Sequence, residues 1–163
     1  MLIAAIDVEN KAHFSLYDNR KLNDALDGVD DHNGYVDLSQ AGDLFSTQVA
    51  NPYFEIPKFA NQLTSPSIQG FDLDNRFAIY VSSGQAAVSE NHPSVDTPGI
   101  SRFQWRSQTA QQVLLHHSNW IGRNIETEGI QVASRVYVGI AYHDAEPYAT
   151  KTLENRVYWF SNI

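Results

Sequence analysis

Nineteen acidic residues and six histidines are the side chains of this 163-residue sequence most able to do chemistry. Asp31, Asn33 and Asp37 stand at alternating positions, the spacing by which oxygen ligands gather around a hard cation such as calcium. His143, Asp144 and Glu146 follow an apolar run and precede Pro147, where a loop mouth could hold a metal or an acid–base pair. The same cluster also reads as a solvated turn. Asp72, Asp74, Glu126 and Glu128 could supply the two carboxylates of a glycoside hydrolase, set roughly 5–10 Å apart, a separation that only folding decides. His116 and His117 do not chelate one ion from a helix, because neighbouring side chains there diverge by about 100°. His117 falls instead on an apolar stripe, the position of a hydrogen-bonded core histidine.

Over twelve residues, VDDHNGYVDLSQ (29–40), the sequence resembles an EF-hand or dockerin calcium loop. With Gly34 as the motif glycine, Asp31 and Asn33 are the side-chain ligands, Tyr35 offers its carbonyl and Asp37 a further contact. Val29 and Gln40 depart from the pattern at its first and twelfth positions, which removes two negative charges and the closing bidentate carboxylate. Asp31, Asn33 and Asp37 remain a weak calcium candidate. The competing reading is a hairpin turn at Asn33-Gly34 feeding a short strand over 35–38. Nucleophile-elbow, phosphate-loop, dinucleotide-binding and H-E-x-x-H patterns are absent. With no cysteine there is no thiolate nucleophile, Cys-based zinc site or disulfide. A non-enzymatic protein without a cofactor is expected.

The net charge of −8 and only 11 basic residues speak against nucleic acid, whose binding draws on cations neutralising phosphates. No apolar run reaches the roughly 20 residues needed to cross a bilayer. The N-terminal MLIAAIDVENKAH lacks a basic region and a long apolar stretch, so no signal peptide is expected. Localisation is then cytoplasmic, or in a virion if the protein is phage-encoded. Uncharged polar residues are plentiful, with 12 Asn, 10 Gln, 14 Ser and 7 Thr. Such a surface suits contacts with proteins or sugars.

The elements that must position these groups are mostly strands. In IQVASRVYVGIAY (130–142), Ile130, Val132, Val136, Val138, Ile140 and Tyr142 share one parity, as in one long strand with a buried face. NRFAI, SRFQW, SRVYV and NRVYW place Arg76, Arg102, Arg135 and Arg156 on the parity opposite their apolar pairs. Such arginines cover a solvated face or meet carboxylates of a neighbouring subunit. Ala110, Val113, Leu114, His117, Trp120 and Ile121 follow a helical stripe, with Thr109 and Gln112 as a capping box and Gly122 as C-cap, predicting a helix over about 109–121. A strand through QVLLHH is the rival. Residues 51–67 carry three prolines beside Tyr53, Phe54 and Phe59, as an arm on a neighbour or a satellite of the core would. Residues 82–99 read as a second extended loop.

These features predict one mainly β domain over 1–163, an antiparallel sandwich or jelly-roll-like barrel with one helix. Its N-terminal third would be irregular and arm-like, with 1–67 an arm or subdomain. The leading functional expectation is a structural protein of a symmetric assembly, such as a capsid decoration or tail protein of a virion, partnered by itself and by other proteins of the assembly. The alternative is a carbohydrate or cell-surface recognition module using Tyr80, Tyr137, Tyr158 and the 82–99 loop. A small hydrolase is third.

Overall fold

The alternation Ala12-His13-Phe14-Ser15-Leu16 is that of a half-buried strand, and Ala12, Phe14 and Leu16 are indeed the buried members. In the computed structural model, which describes residues 1–29, 34–38, 42–91, 93–144 and 151–161, this strand is β2 (Ala12–Leu16). It lies between β1 (Leu2–Ile6) and β3 (Tyr53–Ile56) in an antiparallel sheet. The chain divides into two compact units, Met1–Pro57 and Lys58–Ile163, and this sheet belongs to the first. Register sets Phe14 opposite Phe54, and their rings stack at 5.4 Å. The single α-helix among the described residues, α1 (Asn19–Asp27), begins where the Asp18 carboxylate accepts the N–H groups of Arg20 and Lys21 at 3.0 and 3.2 Å. No helix among the described residues is long and apolar enough to cross a membrane.

The second unit holds two antiparallel sheets in a sandwich-like arrangement. One runs β4 (Ile68–Leu73), β5 (Ile79–Ser83), β6 (Gly99–Phe103), β7 (Gln111–Leu114); the other runs β10 (Thr152–Phe160), β9 (Val136–His143), β8 (Asn124–Val132). Tyr80, Ile100, Leu115, Trp120, Ile125, Val138 and Ile140 form the core. At the seam between β4 and β8, a Cβ on Gly70 would come within 3.0 Å of Gly129 Cα, so both strands approach closely there. Asp72 Oδ2 accepts the Val132 N–H across the same seam at 2.6 Å. On the other face of the four-stranded sheet, Phe59 stacks on Phe103 at 5.5 Å, and Thr64 bonds to Ser83 at 2.6 Å.

The mainly β architecture with one helix matches the sequence expectation, but four details are corrected. No helix spans 109–121: β7 covers Gln111–Leu114, the rival reading, and only a short 3₁₀ turn forms at Ser118–Trp120. The alternating run 130–142 is a hairpin that turns over 133–135. The N-terminal third is a sheet and a helix, whereas the 51–67 segment packs as the satellite reading expected. Phe54 and Phe59 are buried, and Tyr53 lies on β3 with 43% of its surface exposed. No strand forms over 34–38.

Candidate functional site

An open cleft of about 720 Å³ lies in the second unit. Its walls come from the loop after β5 and from the connection between β7 and β8. Asn124, buried at the start of β8, ties the loop down: its Oδ1 accepts the Ala87 N–H at 2.8 Å, and its Nδ2 donates to the carbonyls of Ala87 and Asp144 at 3.3 and 2.8 Å. The Asp96 N–H donates to the Gln85 carbonyl, and Ser65 donates its hydroxyl to Asp96. Opposite, His117 Nδ1 accepts the Asn119 N–H at 3.1 Å, which starts the turn that carries Trp120 inward. The first wall is the 82–99 loop expected from sequence.

Behind the cleft sits an aromatic cluster. Trp120 meets Tyr158 edge-on at 5.2 Å, and His117 meets Tyr158 edge-on at 4.6 Å. Phe160 packs against Trp120 at 6.1 Å. The phenol groups of Tyr142 and Tyr158 share a hydrogen bond. Burial, reinforced by that bond, pushes Tyr142 up to about 12. Burial also raises Tyr158, but hydrogen bonds with Tyr142, Asn119, Trp120 and Arg156 outweigh it and leave the phenol below its ordinary value. These rings are packed against one another, so they stiffen the floor and offer no open face for stacking. The rim differs: Ile121 is 83% exposed, and His116, Arg123 and Val95 are exposed beside it. The cleft therefore offers an apolar floor, an apolar lip and a cation.

The residues singled out in the sequence are scattered. Tyr80 is buried, with Arg102 above its ring at 5.5 Å; Tyr158 is half-buried against the core, and Tyr137 is half-buried on the outer side of β9. Arg76 lies exposed in the turn whose N–H groups Asp74 accepts. Arg135 stacks on Trp159 at 3.8 Å. Arg156 forms a two-point ion pair with Glu154 of its own strand, at 2.7 and 2.9 Å. The arginines thus form no row. In NRVYW the expected facing is reversed: Val157 and Trp159 are exposed, while Arg156 shares its side with Tyr158 and Phe160.

Asp72 and Asp74 are occupied as acceptors of backbone N–H groups. His143 Nε2 lies 3.2 Å from Glu126, and Asp144 closes onto Lys151; Glu146 falls outside the described residues, as do Asp31 and Asn33 of the calcium candidate. Asp37 is exposed. Among the described residues, no group of three His, Cys, Asp or Glu is placed to hold a metal. Sequence reasoning set Ile121 on an apolar helical stripe and passed over Arg123 and Asn124. The polar cluster His116-His117-Ser118-Asn119 was the available signal, since it marks a loop ending a short strand.

A protein-family model described as bacteriocin helveticin-J matches the chain over residues 1–163. No curated protein and no solved structure matches it.

Proposed function

The chain belongs to the bacteriocin helveticin-J family, and on that premise we propose that it is a non-enzymatic recognition protein acting at the surface of a target bacterium. The observation that carries this reading is the cleft between the 85–98 loop and the turn at Trp120. Its volume of about 720 Å³ lies within the range of ligand sites, roughly 300–1,000 Å³. Its mixture of apolar walls and a few polar groups suits a ligand with an apolar part and an anionic group. The apolar part would lie along Val95 and Ile121, and the anion would meet Arg123. Fixed walls favour binding, because little has to be ordered when the ligand arrives. Asn124 and the packed aromatic floor supply that fixity.

A virion setting draws no support from the family's description. The direct experiment incubates the purified protein with whole cells of a bacterial panel and records both retention and growth inhibition. Saturable retention on the strains that are inhibited is the expected result. Inhibition without saturable retention would refute a recognition role.

A further inference from the structure

We propose that β10 is a self-association edge, on which a second copy of this chain pairs antiparallel about a two-fold axis through Asn155. In the order β10-β9-β8 the strand is terminal and pairs only with β9 among the described residues. It is nine residues long with neither Pro nor Lys in it, and after a bulge between Thr152 and Glu154 its register with β9 is regular from Glu154 to Phe160. A terminal strand of that length presents a row of free backbone donors and acceptors, a template for another strand. Its outer face is also apolar, with Leu153 59%, Val157 72% and Trp159 55% exposed.

Charge selects the partner and the register. Opposed residues in an antiparallel pair either both turn their backbone groups toward the partner strand or both turn them away. A two-fold axis between identical strands must therefore pass through a residue. Through Asn155, Glu154 faces the second copy's Arg156 and Arg156 faces its Glu154, while Leu153 meets Val157. Moving the axis to Glu154 opposes two carboxylates, and moving it to Arg156 opposes two guanidiniums, both unfavourable. An axis at Val157 sets Glu154 against Phe160. Only the Asn155 register satisfies both charges and both apolar residues. The existing two-point pair between Arg156 and Glu154 then becomes half of a four-charge cluster. A symmetric contact of this kind closes at two copies.

Sedimentation of the full chain over a concentration series tests it. The wild type is expected to pass from monomer to dimer. Glu154→Arg and Arg156→Glu should each be monomeric, because each sets like charges opposite one another. Mixed together, these two variants should form a heterodimer, since every opposed pair is then complementary. Circular dichroism matching the wild type checks that each variant is folded. A wild type monomeric at its highest soluble concentration overturns the proposal, whether the edge binds some other extended segment or nothing. So do a dimer that neither single variant weakens and a mixture of the variants that stays monomeric.

Discussion

A Cβ added to Gly99 would stand 2.2 Å from Thr64 Oγ1 and 2.5 Å from Thr64 Cβ. Neither atom can swing away freely, because Thr64 is bonded to Ser83 and its N–H to Ser101. Gly99→Ala is therefore expected to destabilise the second unit by about 1–3 kcal/mol, the range for overpacking, measured by chemical denaturation. In the first unit, the Tyr53 hydroxyl bonds to Glu55, and this bond leads in holding the Glu55 carboxyl below its ordinary value and in pushing the Tyr53 phenol up to about 12. Asp7 is likewise depressed, chiefly by its bond to His13. Stability from Asp7 and Glu55 is present above the ordinary carboxylate range and is lost as pH falls through it. That from Tyr53 is present below its ordinary value of 10 and is lost as pH rises toward about 12. Tyr53→Phe should move the Glu55 titration upward in a carboxyl NMR experiment; an unmoved Glu55 would assign its shift to other groups. None of this was legible in sequence, where Tyr53 and Glu55 are merely neighbours on one strand face and Asp7 lies far along the chain.

Strands themselves were easier to see than their ends. The run 130–142 kept one parity because Val132 pairs with Val136 across the turn. Opposed residues point to the same face, so a hairpin with a three-residue turn preserves alternation as faithfully as a continuous strand does. Ser134, the polar member of the run, marks the turn. Over 109–121 the helical stripe misled for another reason: Leu115 and Trp120 are buried, whereas Leu114 and Ile121 are 52% and 83% exposed. Pairing of Ile100 with Val113 and of Gly99 with Leu114 decided the conformation, and such partners lie too far along the chain for local periodicity to report. The cleft walls depend on one residue of this region. Asn124→Ala would orphan the Ala87 N–H and two carbonyls, at a cost of about 1–3 kcal/mol. Hydrogen exchange should show residues 85–98 deprotected before β5 and β6; unchanged protection would mean the loop is held by other contacts.

At the scale of the whole molecule, the β class and the acidic balance followed from composition and alternation. The cleft did not, since it joins a loop after β5 to a turn before β8. Recognition through the cleft is the central claim, and it is tested most directly by a cell-binding isotherm. The comparison sets the wild type against the double variant Ile121→Ser/Arg123→Gln, whose exposed positions leave the core untouched. The account predicts at least about a tenfold loss of affinity, equivalent to about 1.4 kcal/mol, with an unchanged thermal transition. An isotherm for the double variant that superimposes on the wild type would contradict it.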